Sequence, residues 1–333
     1  MNQKISIIIP AFKTEKYIGK CLDSVLNQTY SNIEVLAVTD SASPDRTEEI
    51  VREYAERDNR IKVILQHGKK QGEARNGGLD EATGDYILFL DADDWLSIDC
   101  CEEALKAAVN TGSQIVFFDS FKEYEKKSIP VYTYEQDQLS YSKESKEFSI
   151  YDMRFVTPWG KLYSRESIGE ERFDTQTREA EDVEFNFRVY ANTTSALYIH
   201  KNMYHYRVQT NSAIHGFDES KIEKFDYTVN KIKDANIGKG EERERACYSF
   251  YAIVYIVLCQ NSIYLNPNIG LFEKTKRIAE LGNKEYFKDM FSHLDKVGIP
   301  LSRKVIPIFG KMHAYIGIIF VIWVKHIIEA QRR

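Results

Sequence analysis

The sequence predicts an α/β fold, a doubly wound and mostly parallel sheet over residues 1–215, followed by a helical C-terminal region. Three observations carry this. Short apolar runs recur at 5–9, 34–38, 61–65, 86–90 and 114–118, with segments of helical spacing between them, the alternation that builds a parallel sheet. The run Tyr86-Ile87-Leu88-Phe89-Leu90 has no polar alternation, as in a strand buried on both faces. Acids gather where such runs end: Asp40 after the second, and Asp91, Asp93 and Asp94 after the fourth. In open α/β sheets the loops leaving those strand ends form the ligand crevice.

Ile5-Ser6-Ile7-Ile8-Ile9 is a β-branched run closed by Pro10, a first buried strand. From Thr14 the spacing turns helical, with Ile18, Cys21, Leu22, Val25 and Leu26 on one face. Glu34–Val38 is the second strand. Pro44 and Asp45 open a helix that buries Ile50, Val51, Tyr54 and Ala55; Asp45 is expected to cap it, with Glu48 returning the bond in a capping box. Ile61–Leu65 is the third strand, and the loop from Gln66 to Gln71 leads into a helix that starts at Gly72-Glu73-Ala74-Arg75-Asn76-Gly77-Gly78. After the acidic cluster come a helix over 99–110 and a strand over 114–118. Residues 120–150 are polar and rich in Tyr, and they predict loops with at most a hairpin. Glu181 to Ala191 reads as a helix and Met203–Arg207 as a short strand. Beyond residue 216 the pattern is helical, at 219–235, 243–265, 271–281 and 284–297, with Gly238-Lys239-Gly240 as a turn.

With 43% hydrophobic and 29% charged residues, the 333-residue chain has ordinary globular composition. A net charge of −5 argues against a general nucleic-acid binder. The charge is uneven: residues 301–333 hold six Lys or Arg against Glu329 alone, a local +5. Within that tail Ala314 to Val324 carries no charge over 11 residues, well short of the roughly 20 that cross a bilayer. It suits an amphipathic helix lying peripherally on an anionic membrane; a core or dimer helix with a basic end is the other reading, and homo-oligomerisation stays open. The five cysteines form no Cys-x-x-Cys, and Met1-Asn2-Gln3-Lys4 leads straight into a strand. A reduced, cytoplasmic chain is expected.

Asp91 and Asp93 are two residues apart, so in strand geometry both side chains would point the same way, roughly 6.5–7 Å apart. Such a pair repels unless a cation lies beside it. Mg²⁺ or Mn²⁺ bridging to a diphosphate fits these hard oxygen donors, while a solvated acidic turn capping the next helix is the plainer alternative. The Gly-x-Gly-x-x-Gly fingerprint and the Lys-containing phosphate loop are both absent.

The residues resemble the inverting family-2 glycosyltransferases of the GT-A fold, of the kind that builds bacterial surface polysaccharides. The matching pieces are 8–13, 21–30, 34–45, 72–78 and 86–96, then Trp159-Gly160-Lys161-Leu162-Tyr163 and Glu181-Asp182. They fall in order over roughly residues 4–215. The resemblance implies a GT-A domain over 1–215, with a nucleotide-sugar half (1–118) and an acceptor half (119–215), then a helical accessory region (216–300) and the basic tail (301–333). It implies that Pro10, Phe12, Asp40 and Asp45 line a uridine pocket, with Asp40 accepting from uracil. Arg75 would face the base or diphosphate, and Asp91, with Ala92, the ribose and metal. Asp93 would ligate the metal directly. The family usually reads Asp-Asp-Gly-Ser or Asn-Asp-Gly-Ser where this chain has Thr39-Asp40-Ser41-Ala42-Ser43, one residue longer.

Asp182 would be the general base that deprotonates the acceptor hydroxyl, with Glu181 orienting it. Acids also favour a helix N-terminus for its dipole alone. His205 falls where relatives can supply a third metal ligand, and His215 is the other candidate. Arg207, or the loop at Asn211-Ser212, would steady the departing diphosphate. The implied activity is transfer of a sugar from a UDP-sugar to a hydroxyl of a glycan or lipid-linked oligosaccharide, in capsule, exopolysaccharide or cell-wall synthesis. Two rivals remain at this level. A non-catalytic glycan-binding or assembly subunit would keep the fold, and a sugar-nucleotide pyrophosphorylase would need a Gly-rich loop that Pro10-Ala11-Phe12-Lys13 does not supply.

Overall fold

A computed structural model describes residues 1–66, 70–142, 144–209, 216–234 and 240–331, with side chains to 328. It contains two compact units. The first comprises Met1–Ile150, Arg154–Gln176 and Glu181–Thr210; the second takes Tyr151–Met153, Thr177–Ala180 and the chain from Asn211 onward.

In the first unit the order is β1 (Ile5–Ala11), α1 (Ile18–Leu26), β2 (Ile33–Asp40), α2 (Thr47–Arg57), β3 (Ile61–Gln66), α3 (Gln71–Glu81), β4 (Tyr86–Phe89), β5 (Trp95–Leu96) and α4 (Cys100–Thr111). There follow β6 (Ile115–Tyr124), β7 (Lys127–Val131), β8 (Gln138–Tyr141), β9 (Lys161–Ser164), α5 (Arg165–Ile168), α6 (Glu181–Asn192) and β10 (Ala196–Arg207). The strands form one sheet in the order β3-β2-β1-β4-β9-β6-β10-β5, with β7 beside β6 and β8 beside β10. β1, β2, β3, β4, β6 and β10 run one way; short β9 runs between β4 and β6 in the opposite sense. The sheet is therefore mostly parallel, as predicted.

The apolar runs explain the centre of that sheet. All seven residues of β1 are buried, and α1 covers it with Ile18, Cys21, Leu22 and Val25. The glycines that open α3 have a packing reason: a Cβ on Gly78 would stand 2.4 Å from Ile8 Cγ2, so only glycine lets α3 lie this close to β1. Below β4, a Cβ on Gly84 would meet the Lys4 carbonyl and Ser6 at 2.7 Å.

Several expectations change. The capping box does not form: α2 starts at Thr47, and Glu48 pairs with Arg52 at 2.8 Å. Asp45 does accept Thr47 N–H at the start of α2, at 3.3 Å, and is held as well by Ser43 and by the backbone of Glu15. Strand geometry ends at Phe89, and Asp91–Asp94 is a turn closed by Asp94 N–H to the Asp91 carbonyl at 3.0 Å. The polar stretch after 118 holds more sheet than expected, because β6 continues to Tyr124 and turns back as β7. The short strand at 203–207 is the end of a 12-residue β10.

The second unit is helical: α7 (Lys221–Asp234), α8 (Glu241–Val257), α9 (Leu271–Gly282), α10 (Glu285–Ser292), α11 (Leu301–Lys311) and α12 (Tyr315–Gln331). α8 continues into a π-helical stretch, Leu258–Tyr264. The run Glu241–Tyr264 is long and apolar enough to cross a membrane, but most of it is buried inside the unit as a core helix. The basic tail is not a separate body: α11 packs on α8 and α10, and α12 on α9 and α11.

Candidate functional site

The C-terminal ends of the parallel strands converge on a cavity of about 350 Å³. Pro10, Ala11 and Phe12 reach it from the end of β1, Thr39 and Asp40 from β2, Gln66 from β3 and Asp91, Ala92 and Asp93 from the turn after β4. Lys70, Gln71 and Ala74 line it from the start of α3, and Gln209 from beyond β10.

Among the described residues, four side-chain atoms at this cavity are buried without a hydrogen-bond partner: Thr14 Oγ1, Thr39 Oγ1, Asp40 Oδ2 and Gln66 Oε1. Leaving such groups unpaired costs about 1–3 kcal/mol each, so their concentration marks a place prepared for a polar ligand. Asp40 is held for that role. Its other oxygen accepts from Ala42 N–H at 2.8 Å, and its carbonyl from Ser43 N–H at 2.8 Å, so the longer 39–43 segment is a turn built on Asp40 itself.

Asp45 does not line the cavity. Its carboxylate accepts from Ser43 Oγ at 2.7 Å, Thr47 Oγ1 at 2.8 Å and Glu15 N–H at 3.1 Å. Desolvation would raise this carboxyl, but those donors outweigh it and hold it below its usual value. Asp45 thereby ties the loop after β1 to the start of α2.

Asp91 and Asp93 meet at the cavity although the chain turns between them. Asp91 Oδ1 accepts from Gln71 Nε2 at 2.9 Å and Arg75 Nη2 at 3.0 Å, and Asp93 Oδ2 from Gln209 Nε2 at 2.8 Å. Burial lifts Asp93 above the usual carboxylate range, and the neighbouring Asp91 adds to it. Asp94, 1% exposed, faces inward and accepts from Tyr204 Oη and Arg207 N–H, both at 2.7 Å. Desolvation, then Asp91 and Asp93, push it to about 8; it fastens β10 beneath the turn.

Arg75 is 1% exposed and joins two acids: Nη1 donates to Asp182 Oδ1 at 2.7 Å while Nη2 reaches Asp91. Asp182 lies in the first turn of α6, next to half-buried Glu181. Desolvation raises the Asp182 carboxyl, Arg75 opposes it, and Glu181 and Asp91 add repulsion; the balance leaves it above the usual carboxylate range. Behind it, buried Lys161 donates to the carbonyls of Phe155 and Thr157, Asn186 to that of Val156, and Tyr190 to that of Phe155. These three successive carbonyls fix the strand entry that carries Trp159, whose ring stacks on Tyr204 at 4.6 Å.

Two expected site residues are engaged by protein partners. His205 is stacked between Trp95 and Phe121, with ring centroids at 5.0 and 4.8 Å. Its Nδ1 is 2.7 Å from Glu123 and its Nε2 is 3.1 Å from Ser97 Oγ. Both ring nitrogens are therefore engaged by protein partners. Arg207 lies under the turn, its Nε donating to the Asp93 carbonyl at 2.8 Å and its guanidinium over Tyr17 and Trp95. Asn211, Ser212 and His215 fall outside the described residues.

Among the described residues no third His, Cys, Asp or Glu joins Asp91 and Asp93 to make a protein-only metal cage. The pair suits Mg²⁺ or Mn²⁺ all the same, because such ions commonly take one or two carboxylates and complete their shell with substrate phosphates and water. Sequence reasoning missed Thr14, Thr39, Gln66, Gln71 and Gln209. A signal existed for Gln66, which is paired in register with Asp40 at the end of the neighbouring parallel strand. For Gln209, after a bulged strand, there was none.

Comparison with known proteins agrees with this architecture. The model of the family described as Glycosyl transferase family 2 matches residues 6–171. EpsH of Bacillus subtilis (strain 168), which carries a provisional glycosyltransferase name, is 29% identical over 321 residues, covering 92% of this chain and 91% of that protein. A Campylobacter jejuni enzyme named GalNAc(5)-diNAcBac-PP-undecaprenol beta-1,3-glucosyltransferase is 26% identical over 267 residues, 78% of this chain and 84% of its own. Among solved structures, S. aureus TarS 1–349, crystallised with UDP and with UDP-GlcNAc, superposes with TM-score 0.69 at 19% identity, covering 97% of this chain and 91% of that one. The sheet order, the acid-lined cavity at its C-terminal edge and these likenesses lead to one conclusion: the chain belongs to glycosyl transferase family 2 and is a glycosyltransferase of the GT-A fold.

Proposed function

We propose that the chain transfers a sugar from a UDP-sugar, with inversion, to a hydroxyl of a glycan or lipid-linked oligosaccharide, assisted by Mg²⁺ or Mn²⁺. The observation that carries this is the unpartnered Asp40 Oδ2 in the same cavity as Asp91 and Asp93. A buried acceptor at one end matches the N3–H of uracil, and a carboxylate pair at the other matches a diphosphate held through a cation. TarS, with the same fold, was crystallised with UDP and UDP-GlcNAc, and the Campylobacter relative is named for an undecaprenol-diphosphate acceptor.

In this reading Pro10 and Phe12 wall the base, Thr14, Thr39 and Gln66 complete its polar contacts, and Ala92 leaves room beside Asp91 for the ribose. Asp93, with Asp91, would hold the cation, which would neutralise charge developing on the leaving diphosphate. Asp182 takes the proton from the acceptor hydroxyl as that oxygen attacks the anomeric carbon. Its raised affinity for protons suits that task near neutral pH, and Arg75 keeps it aligned with Asp91. Glu181 orients the base, and Arg207 steadies the Asp93 turn from below.

The test is UDP release from a panel of UDP-sugars with Mn²⁺ and with chelator, in the native chain, Asp93→Ala and Asp182→Asn. Turnover of one donor that is lost on chelation and in both variants supports the reading. Metal-dependent UDP binding without turnover, lipid-linked acceptors included, would instead favour a binding subunit.

A further inference from the structure

The second unit presents a surface that the transfer reaction does not use. α12 carries Ile316, Phe320, Trp323 and Ile327 at 64, 60, 49 and 38% exposure. At 100° per residue these positions fall within a sector of about 60° on the helix. An adjoining face is spent on packing, since Ile318, Ile319 and Ile322 are buried. The Phe320 and Trp323 rings lie side by side with centroids 5.8 Å apart, and Met312 is also exposed at the corner between α11 and α12. A soluble chain rarely leaves so many large apolar side chains in one line.

Charge identifies the occupant. Residues 301–328 contain no Asp or Glu, and Arg303 and Lys311 on the preceding helix are exposed. Lys325 is not part of this face, because it reaches Gln260 at 3.2 Å. A second copy of the chain is a poor fit: a twofold contact brings the face against itself, doubling its cations with no acid in the segment to pair them. An anionic lipid surface supplies both missing partners, phosphates for the cations and acyl chains for the stripe, and Trp is favoured at that boundary. The uncharged part of α12 is too short to span, so the helix would lie in the plane of the interface.

We propose that α12 and the corner before it form a peripheral docking surface for an anionic membrane, independent of donor chemistry. The test is flotation of the full chain with vesicles of phosphatidylglycerol and phosphatidylcholine, against phosphatidylcholine alone, with sedimentation velocity alongside. The proposal expects flotation with the anionic vesicles only, weakened by salt. Phe320→Ser with Trp323→Ser should reduce binding at least tenfold while the circular dichroism and melting curve of the chain are kept. Arg303→Gln and Lys311→Gln, surface changes that spare the fold, should each weaken it roughly fivefold. No flotation, flotation that these variants leave unchanged, or a self-association that the Phe320 and Trp323 changes abolish in the absence of lipid binding would each overturn it. UDP binding with Mn²⁺ reads the donor site separately, so failure here is not failure of the transferase reading.

Discussion

The two ends of the same parallel strands are built on opposite terms. At the N-terminal end, Glu34 at the start of β2 accepts from Lys4 Nζ at 2.7 Å, from Ser6 and Thr83, and from Gly84 N–H at 3.1 Å. Asp85 takes Lys4 N–H at 2.7 Å, and Arg165 closes on the Gly84 carbonyl at 2.8 Å. Desolvation would raise Glu34, yet those donors bring it down to about 2. At the C-terminal end four polar atoms have no partner among the described residues, and burial lifts Asp93, Asp94 and Asp182. One end is a finished network that holds β1, β2 and β4 in register; the other keeps its polar groups for a ligand and is less stable for it.

The sharpest way to break this contrast is at the base. Asp182→Asn should lower turnover by roughly 10²–10⁴-fold while UDP binding is retained, measured by UDP release and calorimetry. Because Asp182 must be deprotonated to act and its carboxyl is raised, the rate should fall on the acid side at a pH well above the ordinary aspartate value of about 4. A pH profile of kcat/KM checks this.

Arg75 stands between the two ends in character, a buried cation serving partly buried acids. Arg75→Met should cost about 2 kcal/mol of stability in a denaturant titration. This is below the range of a fully buried pair because Asp182 and Asp91 keep 30 and 20% exposure. In the folded variant the acid limb of the rate profile should move to higher pH, since the cation that opposes protonation is gone.

Glu34→Gln should cost about 1–2 kcal/mol, discounted for partial exposure, and leave UDP affinity unchanged. The pH dependence has a definite sign. Glu34 has a depressed folded value, so its contribution is complete above the unfolded value of about 4.3 and is lost as pH falls toward about 2. The variant's stability should therefore converge on that of the native chain in acid.

Much of this was legible in the sequence where burial is uniform. β1, β2 and β4 are dominated by apolar residues because both faces of the sheet are covered, and Ile18, Cys21, Leu22 and Val25 repeat with helical period because one face of α1 is covered. β10 was read only at its end because its register shifts between Ile199 and Tyr204 break the alternation. β7 was hidden for another reason: it is an exposed edge strand interrupted by Pro130. Asp40, Asp91, Asp93 and Asp182 could be named in advance because acids at strand and helix ends are visible as positions. What His205 does was not visible, because its partners Glu123 and Ser97 lie far away in sequence, and the tie from Asp45 to Glu15 likewise spans 30 residues.

The central claim is that the unpaired groups at the C-terminal end are reserved for uridine, and Asp40→Asn tests it most directly. The substitution keeps Oδ1 on Ala42 N–H but turns the free oxygen into a donor that meets the uracil N3–H. UDP titration calorimetry with Mn²⁺, paired with thermal melting, should show affinity reduced about 10–100-fold and a melting temperature unchanged or slightly higher. Unchanged UDP affinity, or a clear fall in melting temperature, would contradict the account and make Asp40 another structural acid like Glu34.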